Sequence, residues 1–177
     1  GQLERAVENI IQTAVNDGVT YMEMMIRPVT HTQEGLSAVT VLDILCCKIR
    51  ELMKKYPIKI GVVVMVSPSI DDPIIFREMA QLCVDFRGRP NSIVCGFGIF
   101  GDKGISPESF RFFNSTFEYL KDHHVNVAMV AGLTGVDSIL SAIHDGGASR
   151  ISGAFQIHTF PRLMNCISPS FPSLSFS

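Results

Sequence analysis

The feature that most constrains this chain is an alternation. Short apolar runs rich in β-branched residues trade places with longer stretches of helical spacing, about four times, at roughly 30–40 residues per unit. Leu3 to Val15 opens the series with apolar residues at Leu3, Ala6, Val7, Ile10, Ile11 and Ala14, one face of a helix. Asn16-Asp17-Gly18 ends that helix, and Val19 to Met24 reads as a strand. His31 to Glu34 reads as loop, and Ser37 is placed to cap a helix from about Ala38 to Lys55, with Lys54 and Lys55 suiting its C-terminal end. Ile58 to Val66 reads as a buried parallel strand. Asp71 or Asp72 caps a helix from Pro73 to Phe86, with Pro73 at a favoured first position. Ile93 to Phe97 is a strand, Gly98 to Gly104 a glycine-rich loop, and Ser106-Pro107 starts a helix to about His123. A strand from Val125, a helix Val136 to His144 and a short strand from Arg150 complete the order. Such alternation requires a parallel sheet with helical crossovers, either a barrel or a doubly wound sheet.

In parallel α/β folds the chemistry sits at the C-terminal ends of the strands. The strand that begins at Val125 ends in Val130, Ala131, Gly132 and Leu133. None of these side chains can hold a metal or move a proton.

Composition narrows the partners. Hydrophobic residues make up 46% of the 177, but no stretch approaches the length of a membrane-spanning helix. Net charge is −2, which favours neither nucleic acid nor an anionic membrane. The five cysteines, Cys46, Cys47, Cys83, Cys95 and Cys166, contain no Cys-x-x-Cys pair. They read as free thiols in a reduced compartment, and with no leader pattern at Gly1 the expected location is cytoplasmic. The segment Ile167 to Ser177 holds only Ser, Pro, Phe, Ile and Leu. Residues 1–166 are therefore read as one α/β domain and 167–177 as a disordered tail.

Four segments resemble the adenosine/AMP deaminase family, in the right order. Gly18-Val-Thr-Tyr-Met-Glu-Met24 looks like a family strand that continues Arg-Tyr/Phe-Ser-Pro; here it continues Met25-Ile-Arg-Pro28, keeping only the proline. Gly35-Leu36-Ser37 resembles the Gly-Leu-Ser/Thr that opens the next helix. Val94 to Lys103 resembles Gly-Ile-Asp-Leu-Ala-Gly-Asp/Glu-Glu, and Arg150-Ile-Ser-Gly-Ala154 resembles Arg-Ile-Gly-His-Gly. Ala131-Gly132 keeps the centre of His-Ala-Gly-Glu. The resemblance implies a partial (β/α) TIM-type barrel of about five parallel strands with crossover helices. It also implies a zinc-dependent purine aminohydrolase ancestry.

The family's chemistry does not carry over residue by residue. A zinc-binding histidine of the family falls at Val130, the proton-donating glutamate at Leu133, and the histidine of Arg-Ile-Gly-His-Gly at Gly153. The early His-x-His pair would precede Gly1 and the late Asp-Asp pair would follow Ser177. Gly101 alone matches, as the glycine whose backbone N–H meets the purine. The expectation is a deaminase-like chain with no catalytic residue, no metal ligand and no cofactor of its own. Its partners would be a purine nucleoside at Gly101, or a second chain covering an open sheet edge. The competing readings are a piece of an active enzyme, a non-catalytic purine-binding or interaction module, and an unrelated doubly wound nucleotide-binding domain.

Other polar residues have simpler readings. His123-His124 and His144 end helices, where histidine suits the dipole; His31 and His158 are single loop histidines. Asp102-Lys103 is a solvated pair, and Asp71-Asp72 a helix cap. Gly96-x-Gly98-x-x-Gly101 fits a dinucleotide fingerprint by count, though the following helix starts too late. Glu23 shares a strand face with Tyr21; if that face points into a barrel, Glu23 needs a partner or is neutral with a raised pKa, and a structural ion pair is favoured over catalysis.

Overall fold

The computed structural model describes residues 1–32, 35–100, 107–133, 135–155, 157 and 175–176, with 107–109 and 175–176 described in the backbone only. Gly101, Asp102-Lys103, His158 and Cys166 lie outside the described residues.

Helix α1 (Gln2–Asn16) leads into β1 (Tyr21–Ile26), α2 (Ala38–Lys55), β2 (Lys59–Val66) and α3 (Pro73–Arg87). Then come β3 (Val94–Ile99), α4 (Pro107–Asp122), β4 (Val127–Val130), α5 (Val136–His144) and β5 (Arg150–Ser152). The sheet order is the chain order, and every pair is parallel. Within 167–177, Ser175–Phe176 forms a two-residue strand, β6, beside β5; the rest of that tail lies outside the described residues. The five main strands and their crossover helices make a curled half-barrel, a partial TIM-type fold.

The caps fall where the side chains can reach. Ser37 Oγ accepts from the Thr40 N–H at 3.1 Å, and Asp72 Oδ1 accepts from the Ile75 N–H at 2.9 Å. Strand β1 begins two residues later than the periodicity predicts. The Val19 N–H still donates to Ala14 O at 2.9 Å, so Val19 belongs to the turn made by Gly18 at φ 80°. Strand β3 runs through Ile99, so Gly98 is a strand residue and not the start of the glycine loop. Gly96 and Gly98 thus lie in a strand and not in a phosphate-binding turn, which removes the dinucleotide reading.

One face of the sheet carries the core. Ile60, Val62, Val64 and Val66 of β2, Phe97 and Ile99 of β3, Val127 and Met129 of β4 and Ile151 of β5 are buried against the helices. Phe76 of α3 stacks on Phe113 of α4 at 4.2 Å and meets Phe97 edge-on at 5.7 Å. Arg77 lies over the Tyr119 ring at 4.0 Å and donates to Ser115 O at 3.0 Å, tying α3 to α4. Glu8 accepts from both Lys48 and Lys55 at 3.0 Å and ties α1 to α2. Among the described residues no helix is long and apolar enough to cross a membrane.

Pleat alternation turns the other residues of each strand to the concave face. Tyr21 and Glu23 lie there, as their spacing predicts. So do Val63, Gly98, Ala128, Val130 and Arg150, which alternate with core residues. Glu23 finds the partner it needs: Arg150 of β5 donates to its Oε2, and Tyr21 Oη donates to its Oε1 at 2.8 Å. This contact measures the curl. Four strand steps of about 4.8 Å would separate β1 from β5 by ~19 Å in a flat sheet. An extended Glu and Arg with a hydrogen bond between them span only about 15 Å.

Candidate functional site

The strand ends that would carry chemistry gather at one rim of the half-barrel. At the end of β4, Met129 and Ala131 are buried in the core, so Val130 between them faces the concave side. The Ala131 N–H donates to Ser152 O at 3.0 Å and holds this strand end against β5. The chain then turns through Gly132 at φ 94°, whose N–H donates to Ser138 Oγ at 2.8 Å; that hydroxyl donates to Gly135 O at 2.7 Å. Ser138 is buried and sits on α5, so the helix itself shapes the strand-end turn. No sequence signal marks this serine, because its role depends on α5 folding back over the turn.

At the end of β4 and in the turn after it, the side chains of Val130, Ala131 and Leu133 are apolar. Leu133 is half-exposed and leans over the end of β5. A Cβ placed on Gly153 would meet Leu133 Cδ2 at 3.3 Å. Gly153 has φ 87°, a backbone conformation that side-chain-bearing residues rarely adopt. The Phe100 ring covers Gly98, within 3.0 Å of where a Cβ would stand. Val130, Leu133 and Gly153 therefore do come together at one rim, as the resemblance implies. Gly101, the retained position, lies outside the described residues.

A polar contact at this rim was not legible. Arg27, just past β1, makes a two-pronged ion pair with Asp71, just past β2. The Asp71 side chain is fully buried and also accepts from the Ser67 N–H at 2.7 Å. Of the two aspartates read as a cap, Asp72 caps α3, and Asp71 instead anchors one rim loop to the next.

At the opposite end of the strands stands the Tyr21–Glu23–Arg150 network. The hydrogen bond to Glu23, with burial and the Glu23 charge, pushes the Tyr21 phenol up to about 12. Burial alone would raise the Glu23 carboxyl. Hydrogen bonds from Arg150 and Tyr21, with the Arg150 charge, outweigh it and leave the group below the ordinary carboxylate range.

The remaining candidates take ordinary places. His123 Nδ1 lies 2.8 Å from Tyr119 O, and His124 adopts φ 51° beyond α4. His31 ends a 3-10 turn, Pro28–His31, where loop was expected. His144 lines a solvent-open hollow of about 450 Å³ between α4 and α5, away from the strand ends. Cys46, Cys47, Cys83 and Cys95 are free thiols. Among the described residues no group of three or more His, Cys, Asp or Glu side chains is placed to hold a metal ion.

The architecture is thus that of a parallel β/α half-barrel in which the end of β4, Val130 to Leu133, carries no polar side chain. Comparison with known proteins gives the lineage: the family model for adenosine deaminase matches residues 2–170, and the chain belongs to that family. It is 44% identical over 164 residues to a probable adenosine deaminase of Dictyostelium discoideum, covering 93% of this chain and 21% of that protein. It is 26% identical over 161 residues to an adenosine deaminase of Mycobacterium avium, covering 88% and 42%. Among solved structures, an adenine deaminase of Arthrobacter aurescens superposes with a TM-score of 0.75 at 13% identity, covering 93% of this chain and 48% of that one. A zinc-bound amidohydrolase of Burkholderia ambifaria gives 0.79 at 16%, covering 94% and 45%. The N6-methyl-AMP deaminase of Arabidopsis thaliana gives 0.71 at 16%, covering 85% and 45%. The chain spans about a fifth of the Dictyostelium protein and less than half of the others.

Proposed function

We propose that this is a deaminase-like chain that does not catalyse purine deamination as it stands. The observation that carries the reading is the contact of Leu133 with Gly153 beside Val130. These are the three positions that the resemblance pairs with a proton donor, a histidine and a zinc ligand. Valine has no lone pair for zinc and leucine no proton to give, so the residues present do not fit the metal. The backbone supports the same reading. At φ 87°, Gly153 resists any side chain, and Leu133 occupies the space such a side chain would enter. A relaxed site is expected to accumulate small and apolar residues of this kind.

The alternative keeps the fold and drops the chemistry: a purine-binding or interaction module. Exposed apolar residues on β1 and after β4 support it, with Tyr21, Met25 and Leu133 open to solvent. One experiment addresses both readings. Zinc content and turnover on adenosine, AMP and N6-methyl-AMP are measured on the purified chain, with nucleoside binding followed by calorimetry. Absence of zinc and turnover is expected. Stoichiometric zinc with turnover overturns the non-catalytic reading. Nucleoside binding without turnover selects the module.

A further inference from the structure

We propose that the Glu23–Arg150 pair is a clasp that holds this open sheet at the curvature and strand stagger of a closed barrel.

The register supplies the first support. Following the pairing from β5 to β1, Arg150 stands level with Ala128, Gly98 and Met65. Met65 is one residue past Val64, the partner of Ile26. Arg150 is therefore level with Arg27, whereas its ionic partner Glu23 lies four residues lower on β1. Four residues over four strand steps is one residue per step. That is the stagger of an eight-stranded barrel with a shear of about eight. The two side chains meet because they occupy one layer of such a barrel.

The second support is the absence of closure among the described strands. β1 is an edge, and beyond β5 there is only the two-residue β6. A complete barrel keeps its curl because the last strand bonds to the first. In this sheet the curl draws on helix packing outside and on contacts across the inside. The cross-sheet ion pair joins residues 127 positions apart and links the two ends of the five-strand arc directly. Gly61 lies beside it on β2. It is the register partner of Glu23, and the Cys95 thiol and Tyr21 hydroxyl border the space a Cβ would fill there. A Cβ at 61 would stand 2.7 Å from the Cys95 sulfur, which would have to shift, and 3.4 Å from the Tyr21 hydroxyl, an ordinary contact.

The test is a charge-exchange cycle read by hydrogen exchange. In Glu23→Gln, amides of β1 and β5 are expected to exchange ~10-fold faster or more while those of Val62 to Val66 are unchanged. Arg150→Lys, which keeps the charge, is expected to be milder. The double variant E23R/R150E is expected to recover protection in β5. A folded E23Q with unchanged β5 exchange overturns the proposal, as does a double variant no better than E23Q. If E23Q fails to fold, recovery of the fold in the double variant supports the clasp, and failure of both overturns it. A second readout is the phenol titration of Tyr21, taken as the difference from Tyr21→Phe. It should fall from about 12 toward the ordinary value in E23Q, and an unchanged titration would show that the network does not form.

Discussion

Arg27 and Asp71 lock together the chain segments that leave β1 and β2, with the aspartate side chain fully buried and the arginine nearly so. The pair crosses from one rim loop to the next, and a backbone N–H at Ser67 takes part. Removing one partner strands the other charge away from water. Asp71→Ala is therefore expected to cost about 3 kcal/mol, the range for a broken buried pair. Its neighbour offers an internal control: Asp72→Ala loses only a helix cap, at about 1 kcal/mol. Urea denaturation of the two variants checks the ratio, and equal losses would contradict the separate roles.

The backbone at Gly153 predicts a second result. Gly153→Ala places a Cβ at φ 87° and within 3.3 Å of Leu133, so a loss of about 1–2 kcal/mol is expected. Adding Leu133→Ala should relieve the contact but leave the backbone strain. The double variant is then expected to recover only part of the loss, as thermal unfolding would show.

The pH dependence follows from Tyr21 and Glu23. Glu23 titrates lower in the folded chain than in the unfolded one, so its stabilisation is present above the unfolded value near 4.5 and fades as pH falls through the folded value. Tyr21 titrates higher when folded, so its neutral form is favoured. That contribution is present below pH 10 and is lost between about 10 and 12. Denaturant titrations from pH 3 to 12 should show both flanks in the native chain. The acid flank should shrink in Glu23→Gln.

Thiol reactivity should follow burial. Burial pushes the Cys46 thiol up to about 11 and the Cys83 thiol up to about 12, whereas Cys47 is exposed. Alkylation of the native chain followed by peptide mapping should label Cys47 well before Cys46 or Cys83. Early labelling of Cys83 would mean that α3 does not pack on β3 as described.

The elements themselves were written in local chemistry. The 3.6-residue spacing of Leu3, Val7 and Ile11, the Ser37 cap and the apolar run into Val66 each act over a few residues, and the alternation of such units dictates a parallel sheet. The same locality let Glu23 be placed on the Tyr21 face and its need for a partner be stated. Which partner answers that need depends on curl and stagger accumulated over four strand steps, so only the tertiary structure could name Arg150. Asp71 shows the limit in another way. Two adjacent aspartates before a helix carry one local meaning, and only the return of the chain past β1 brings Arg27 to one of them. Ser138 became part of the strand-end turn, and Leu133 the cover of Gly153, for the same reason. Pattern along a chain reports which face a residue takes, whereas the contact it makes there depends on segments distant in sequence.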